Sequence, residues 1–417
     1  MPPRFHLLLA AQFTSALADN ALLIVAIALL AERGMAAWWA PMLRFALTLS
    51  YVVFAPFVGA LADSMPKATL MAWMNGVKVL GLLGMCLGLH PALAFAIVGF
   101  GAAAYAPAKY GLITELVPRD RLVAANGWLE VSIVCAVLLG TVFGGLLVSP
   151  LLTGSPAVAR FAADVAALLP IEASSLSAAM LMLLGVYALA ALLNVGVPDS
   201  GARYTQRAFD APALLRDFAG ANRTLWRDAD GGLSLAVTTI FWGVGATLQF
   251  AVLRWSADVL GLPLEQSAYL QAAVAAGVIA GAAAAGRYVP LARAKRILWV
   301  GVLLGAMMPV VASVTGIEAA VVMLALVGAV AGFMVVPLNA LLQHRGMQLL
   351  SAGRSVAVQG FNENASVLGM LAIYATLIAL DVPIVALLCG FGLCIAAAML
   401  LLIRSERARL RVVVLSS

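Results

Sequence analysis

Long apolar runs, each bounded by charge, proline or a polar cluster, follow one another along almost the whole chain. A helix that crosses a membrane needs about 20 mostly apolar residues, because the hydrocarbon core is about 30 Å thick and a helix rises about 1.5 Å per residue. The first run lacks a small-residue cleavage site, so we expect it to be retained as a helix. The pattern predicts twelve spans, at 7–31, 41–62, 69–89, 91–116, 121–149, 174–197, 232–257, 267–289, 295–315, 317–343, 353–379 and 382–403.

A polar stretch separates the first six predicted spans from the last six. We therefore predict an N-terminal six-helix bundle at 1–197, a cytoplasmic linker at 198–231 and a C-terminal six-helix bundle at 232–417. The five arginines of the linker are matched by five aspartates, so we expect a solvated and electrically balanced segment. Six plus six helices around a long middle loop are typical of transporters whose two halves rock about a shared binding site.

Composition and charge agree with a chain dissolved in lipid. Hydrophobic residues make up 64% of the chain and charged residues only 11%, whereas a soluble domain carries about 25% charged residues. The net charge of +6 could indicate nucleic-acid binding. With the N-terminus inside, however, 19 of the 25 basic residues fall in cytoplasmic segments, and the outer loops hold only Arg33 and Arg160. This asymmetry fits the positive-inside rule with both termini cytoplasmic, so no nucleic-acid partner is needed.

An internal repeat supports two related halves. Residues 126–130 (NGWLE) and 359–363 (QGFNE) both read amide, glycine, aromatic, any residue, glutamate, and their glutamates are 233 positions apart. Two further pairs are 230 positions apart, namely Lys109 with Asn339 and Asp19 with Gln249. Short matches also arise by chance, but three offsets that agree with the helix count favour a parallel duplication of six helices.

Carboxylates stand where lipid-facing residues would be expected. An ionisable side chain at mid-bilayer costs at least about 2.5 kcal/mol, so it normally faces a cavity or a partner. Gln12, Ser15 and Asp19, which is followed by Asn20, form one polar stripe on the first predicted helix. We expect Asp19 to act in binding, and the alternative is a structural carboxylate satisfied by neighbouring helices.

The eleventh predicted helix carries a fuller polar stripe, formed by Gln359, Asn362, Glu363 and Ser366. Four polar residues on one face of a spanning helix predict a water-filled cavity. The fifth helix carries a shorter version of the same pattern, in which Asn126 and Glu130 lie one turn apart.

Basic residues inside the apolar runs complete the candidate site. Lys78 is near the middle of the third helix, Lys109 follows Tyr105 by one turn, and Arg254 lies towards the outer end of the seventh helix. Lys78 could bind a ligand or neutralise a buried acid. The candidate substrate- or ion-binding residues are Asp19, Asn20, Lys78, Tyr105, Lys109, Asn126, Glu130, Gln249, Arg254, Asn339, Gln359, Asn362 and Glu363.

A cavity with both signs of charge suits a ligand that carries phosphate and ammonium, or an anion together with a coupling cation. We expect no cofactor and no metal cluster. A coupling ion is expected at Asp19 or Glu363, and the sequence leaves sodium and a proton both open.

The loop after the second predicted helix, 59–67 (GALADSMPK), resembles the G-x-L-a-D-x-x-G-[RK] loop of the major facilitator superfamily, with Pro66 at the usual glycine. In that superfamily the acidic and basic residues of the loop belong to the cytoplasmic gate, which here implies Asp63 and Lys67. The fold that the resemblance implies is all-α, with twelve transmembrane helices in two pseudo-symmetric six-helix bundles.

A narrower resemblance runs through both halves. Several stretches, among them 104–111 (AYAPAKYG) and 335–343 (VVPLNALLQ), resemble the bacterial lysophospholipid transporter family. The resemblance implies sodium-dependent uptake of lysophospholipid, chiefly lysophosphatidylethanolamine, from the outer to the inner leaflet of the inner membrane. Asp19 and Glu363 match residues to which that family gives roles. It also implies a separate cytoplasmic acyltransferase for reacylation, and we expect a monomer.

One position departs from the family. Relatives usually have an arginine where this chain has Gln249, and the arginine here is Arg254. Five residues turn a helix by about 500°, so the two side chains point in different directions. Which group of the second half meets the phosphate is therefore open.

The small residues of the eighth predicted helix, between 272 and 286, have two interpretations. Small residues usually allow close helix packing, and the alternative is a thin seam through which an acyl chain passes.

Three other functions compete with lipid uptake. A proton-coupled drug or small-solute exporter of the same fold shares all the features above, and a passive scramblase or channel would need no ion gradient. An enzyme is not supported, because His6, His90 and His344 lack an aspartate five residues later and no nucleophile or phosphate-loop motif is present.

Overall fold

The computed structural model describes residues 3–36, 38–158, 160, 163–164, 176–197, 199–204 and 210–416, and the regular structure in this part of the chain is helical. Arg207 of the linker and the first two residues of the predicted span 174–197 lie outside the described residues. The helices are α1 (Pro3–Glu32), α2 (Trp39–Val53), α3 (Ala55–Ser64), α4 (Lys67–Cys86), α5 (Pro91–Leu116), α6 (Leu122–Leu147), α7 (Pro150–Thr153), α8 (Ser177–Gly196), α9 (Ala211–Arg227), α10 (Ala229–Asp258), α11 (Leu264–Tyr288), α12 (Leu298–Ala312), α13 (Ile317–Leu349), α14 (Ala352–Ala379) and α15 (Ile384–Ser416).

Each predicted span coincides with a helix, except that the second is divided. The helices α2 and α3 meet at Phe54 with a bend of 65°. Pro56, at the start of α3, has no N–H group to continue the hydrogen-bond ladder of α2, and proline is a common cause of sharp kinks. The predicted all-helical class is confirmed, and the bend is a feature that the hydrophobic pattern did not predict.

The number of spans is supported less fully than their positions. Among the described residues, ten helices are long and apolar enough to cross a membrane, and the bent pair α2 and α3 makes eleven. The helix α14 has the length of a span, but polar residues in its first half lower its hydropathy. The count of twelve and the cytoplasmic placement of both termini therefore stay predictions.

The chain forms two compact units whose boundaries differ from the predicted bundles in two segments. Unit 1 contains Met1–Leu116, Cys135–Ala219 and Ser351–Phe361, and unit 2 contains the remainder. The start of α6 thus belongs to unit 2, and the start of α14 belongs to unit 1. Both copies of the repeated motif, 126–130 and 359–363, lie in or at the edge of these exchanged segments.

Within unit 2, α11 and α13 pack backbone against backbone through two pairs of glycines. A Cβ atom on Gly277 or Gly281 would lie 1.9 Å from a carbonyl oxygen of α13. A Cβ atom on Gly328 or Gly332 would lie 2.1 or 2.4 Å from a carbonyl oxygen of α11. This is the close packing that small residues permit. The contact leaves no room for an acyl chain between these two helices, so the packing interpretation of the small residues is the correct one here.

Candidate functional site

An ion pair between α1 and α4 is the centre of the candidate site in unit 1. The Nζ atom of Lys78 lies 2.6 Å from Oδ2 of Asp19 and donates a second hydrogen bond to Oγ of Ser15 at 3.0 Å. The hydroxyl of Tyr187, on α8, donates to the other carboxylate oxygen at 2.8 Å. Both oxygens of Asp19 therefore accept a hydrogen bond from the protein.

Aromatic rings and amides enclose the lysine. The rings of Tyr105 and Tyr187 lie 5.1 and 5.9 Å from Nζ of Lys78, within the range of a cation–π contact. The hydroxyl of Tyr105 donates to Asn194 at 3.4 Å, and Asn75 accepts from Ser15 at 2.7 Å. Neither Asn75 nor Asn194 has an acceptor for its Nδ2 group among the described residues. The ammonium is thus enclosed by polar groups and aromatic rings, and two amide groups beside it have no acceptor among the described residues.

The two partners differ in access. The side chain of Lys78 is 1% exposed, whereas that of Asp19 is 21% exposed. Removing one member of a buried ion pair leaves an uncompensated charge and costs several kcal/mol. The group within reach of a ligand is therefore the carboxylate of Asp19, whose charge is already neutralised by the buried Lys78.

A second charged cluster surrounds the end of α3. The carboxylate of Asp63 accepts a hydrogen bond from the hydroxyl of Ser351 and another from the backbone N–H of Gly353 at 3.1 Å. Ser351 immediately precedes α14 and Gly353 lies in its first turn, where free N–H groups and the helix dipole favour a negative charge. We call Asp63, Ser351 and Gly353 the charged interlock.

Lys67 continues this cluster inside unit 1. Its Nζ atom lies 2.7 Å from the carboxylate of Glu115 and 3.6 Å from that of Asp63, and its side chain is 3% exposed. The hydroxyl of Tyr204 and that of Ser200, both in the linker, donate to Glu115 at 2.8 and 2.5 Å. Burial, followed by the Glu115 carboxylate, raises the pKa of the Tyr204 phenol. The linker therefore contacts Lys67 of the predicted gate through the Tyr204 ring and through Glu115.

Unit 2 contains an uncharged counterpart. The side-chain amides of Asn126 and Gln343 donate to each other, each at 3.0 Å, and both residues are buried. A Cβ atom on the neighbouring Gly127 would lie 2.8 Å from the carbonyl oxygen of Ala282, so α6 and α11 are in close contact. We call Asn126 and Gln343 the amide interlock. Glu130, one turn further along α6, is also buried.

Other candidate residues lie in separate surroundings. The amide of Asn362 faces α9, where it donates to Asn222 at 2.8 Å and accepts from the indole N–H of Trp226 at 3.1 Å. On the same helix, Gln359 is buried and Glu363 is partly buried. Asn339 is buried in α13.

Three further candidates make contacts within their own helices. Asn20 donates to the carbonyl of Ala16 at 2.8 Å, and Nζ of Lys109 lies 4.5 Å from the centre of the Tyr110 ring. Arg254 pairs with Asp258 at 3.2 Å on a partly exposed surface of α10. This pairing does not direct Arg254 towards the position of Gln249, whose side chain is exposed.

The sequence did not identify several residues that complete these clusters. Tyr187, Asn75 and Asn194 stand alone in apolar runs, and only their polarity inside a predicted span marks them. Glu115 follows the AYAPAKYG stretch, and Tyr204 lies in the linker. Neither has a spacing that connects it to Lys67, because the contacts are made by the fold.

The long apolar helices are those of a multi-pass membrane protein, and buried, mutually neutralised charges inside such helices are typical of transport pathways. Residues 8–370 match the sequence profile of the Major Facilitator Superfamily. The chain therefore belongs to the major facilitator superfamily. Its 39% identity, over 91% of its length, to transporters named LplT places it in the lysophospholipid transporter family. The predicted family and the all-helical major facilitator fold are confirmed, and the members of this family are transporters and not enzymes.

Similar proteins agree with this assignment. The lysophospholipid transporter LplT of Yersinia pestis (strain Pestoides F) is 39% identical over 379 residues, which cover 91% of this chain and 87% of the relative. LplT of Yersinia pseudotuberculosis (serotype O:3, strain YPIII) gives the same values.

Solved structures show the same fold at low sequence identity. The E. coli fucose:proton symporter FucP has a TM-score of 0.72 at 14% identity, and the similarity covers 96% of this chain and 98% of that one. A bacterial homologue of the iron transporter ferroportin, in an outward-facing state, has a TM-score of 0.69 at 15% identity, covering 96% and 99% of the two chains.

Proposed function

We propose that the protein is a secondary transporter that moves lysophospholipid, of the lysophosphatidylethanolamine type, from the outer to the inner leaflet of the bacterial inner membrane. The proposal rests on the 39% identity to transporters named for this substrate. A separate cytoplasmic enzyme would reacylate the lysophospholipid delivered to the inner leaflet. The transporter would work as a monomer by alternating access.

The ion pair of Asp19 and Lys78 is the observation that supports a charged headgroup and a coupling cation. The exposed edge of the Asp19 carboxylate offers an oxygen ligand to an amine or to a small cation. Oxygen ligands also suit sodium, so sodium is the coupling ion that we propose, with a proton as the alternative.

Lys78 gives this coupling a specific form. Its ammonium occupies the Oδ2 side of Asp19, where an added cation would otherwise bind. A second positive charge on the same carboxylate is disfavoured by repulsion in a low-dielectric environment. Cation binding at Asp19 therefore competes with Lys78, and an ion that binds must draw the carboxylate away from the lysine.

The charged and amide interlocks provide the moving contacts of the cycle. The charged interlock holds the start of α14 in unit 1 through a hydrogen bond from the helix terminus to Asp63. The amide interlock holds the start of α6 in unit 2 through hydrogen bonds between two side chains. We propose that both open when the site is exposed to the cytoplasm.

Transport in liposomes tests the function. Purified protein is reconstituted, and the movement of labelled lysophosphatidylethanolamine across the bilayer is followed with and without an inward sodium gradient, beside Asp19→Asn. We expect movement that requires sodium and is lost in the variant. No movement above empty liposomes, with transport of another solute intact, would contradict the lipid assignment and favour a proton-coupled exporter. Movement that needs no ion gradient would favour a passive scramblase.

The lysine is tested by Lys78→Met in the same assay. Without the competing ammonium, Asp19 carries an uncompensated charge, so we expect half-maximal transport at a sodium concentration several-fold lower than in the wild type. A maximal rate below wild type is compatible with this result, since the variant also loses packing around the site. An unchanged or higher sodium requirement would contradict competition, and Tyr187→Phe serves as a control that keeps Lys78.

A further inference from the structure

The helix α9 of the linker has two chemically distinct faces. Leu214, Ala221 and Leu225 are buried. On the opposite face, Arg216, Arg223 and Arg227 are exposed. At 100° per residue these three arginines fall within a stripe about 40° wide.

Apolar side chains flank the arginine stripe. Leu215 is 50% exposed and Trp226 is 40% exposed, and both lie on the same edge of the stripe. An amphipathic helix with arginines beside leucine and tryptophan is the composition that binds at a membrane interface. Tryptophan in particular is enriched at the level of the lipid headgroups.

The aspartates of the linker do not neutralise this stripe, which corrects the expectation of a balanced, solvated segment. Arg354 binds Asp217 at 2.8 Å, and Arg345 binds Asp228 at 2.8 Å. The other two described ion pairs of linker aspartates are Asp199 with Arg203 and Asp230 with Lys295. Arg345 lowers the pKa of Asp228 through their hydrogen bonds. The linker therefore has equal numbers of arginines and aspartates, but four of its aspartates bind basic residues other than Arg216, Arg223 and Arg227.

The contacts of α9 place it against α14, the helix of the eleventh predicted span. Phe218 packs edge-to-face on Phe361 with ring centres 5.3 Å apart. Trp226 donates to Asn362, which lies about three turns into α14. In the proposed topology, with the linker and the start of α14 on the cytoplasmic side, the free face of α9 adjoins the inner headgroups.

We propose that the exposed face of α9 binds anionic phospholipid headgroups of the cytoplasmic leaflet through Arg216, Arg223 and Arg227. Arginine is well suited to phosphate because its planar guanidinium donates two parallel hydrogen bonds. The proposal rests on the proposed function for its orientation, with the linker on the inner side of the membrane. The ligand is the phosphate of a bulk lipid, which is distinct from the transported lysophospholipid at Asp19.

Hydrogen exchange in nanodiscs tests this surface on the full chain. The exchange rate of the α9 amides is measured in phosphatidylcholine alone and in phosphatidylcholine with one third phosphatidylglycerol. We expect phosphatidylglycerol to slow exchange in α9 of the wild type, and the effect to weaken as salt is raised. Each arginine near an anionic surface contributes roughly fivefold to binding, so Arg223→Gln with Arg227→Gln should reduce the protection about twentyfold.

A matched variant separates this face from basic loops in general. Arg119→Gln with Arg121→Gln removes the same two charges from an exposed turn in the first half of the chain. We expect this control to keep the protection of α9 by phosphatidylglycerol. Equal loss in both variants, or equal protection in the α9 variant and the wild type, would overturn the proposal. Protection by an acidic polypeptide but not by phosphatidylglycerol would overturn it in favour of a protein partner.

Transport measured on the same samples distinguishes the two proposals. Sodium-dependent transport without protection of α9 would refute the lipid surface and leave the function standing. Protection of α9 without lysophospholipid transport would support the surface and refute the function.

Discussion

The charged interlock and the amide interlock solve the same structural task with different chemistry. In unit 1, a carboxylate accepts hydrogen bonds from the first turn of α14 and lies beside Lys67. In unit 2, two neutral amides satisfy each other across α6 and α13. Both contacts hold the exchanged segment of a helix that carries a copy of the repeated motif.

The difference shows that two contacts, each of which holds the start of a helix, need not rely on the same forces. Hydrogen bonds to a charged group contribute about 1.5–3 kcal/mol each, whereas neutral ones contribute about 0.5–1.5 kcal/mol. The charged interlock should therefore be the more stable of the two contacts, and the amide interlock should depend more on shape and on the neighbouring Gly127.

The largest effect is expected for Asp63→Ala. The change removes two charge-assisted hydrogen bonds, a loss of roughly 3 kcal/mol or more. The opening of this contact is measured as the rate at which a thiol reagent labels a cysteine introduced at the buried Ala357. The four native cysteines are replaced by serine. We expect the rate of thiol labelling to rise about a hundredfold. Labelling that stays at the wild-type rate would show that Asp63 does not hold this contact.

A smaller effect is expected for Asn126→Leu. The variant leaves the buried amide of Gln343 without its partner, which costs about 1–3 kcal/mol. Labelling of a cysteine at the buried Ala125 should therefore increase about tenfold.

Asn126→Leu combined with Gln343→Leu is the matched control, because two apolar groups of similar size leave no unpaired donor or acceptor. This double variant should return within a few-fold of the wild type. A double variant that labels faster than the single one would show that the polarity of the pair, rather than its satisfaction, is required.

The smallest effect is expected for Tyr204→Phe. The change removes one hydrogen bond to Glu115 and keeps the ring near Lys67. Because Lys67 and Ser200 still bind the Glu115 carboxylate, we expect a loss of about 1 kcal/mol, below the usual value for a charged acceptor. The cysteine at Ala357 should label a few-fold faster, and the cysteine at Ala125 should be unaffected. An equal increase at both positions would mean that the linker acts on both interlocks and that they are not separate.

The sequence predicted the helices and the polar stripe of α1 because long apolar runs and helical spacing are local properties. It also indicated Asp63 and Lys67 through a loop pattern. The partners Ser351 and Gly353 follow from contacts almost 300 positions away along the chain. No local pattern encodes such a distance.

The linker and Lys78 show the same limit in two ways. Counting charges predicted a balanced linker, but which aspartate binds which arginine depends on where α9 packs. For Lys78, the choice between a ligand and a neutralising partner was open in the sequence. The distance of 2.6 Å to Asp19 favours the neutralising role.

The neutral pair of Asp19 and Lys78 has an electrical consequence. A charge that crosses the whole membrane field gains or loses about 2.3 kcal/mol per 100 mV. An empty site with one carboxylate and one ammonium moves through the field without electrical work, whereas the same site with one added cation does not. In the proposed cycle, membrane voltage would drive the loaded carrier inward and leave the return of the empty carrier unaffected.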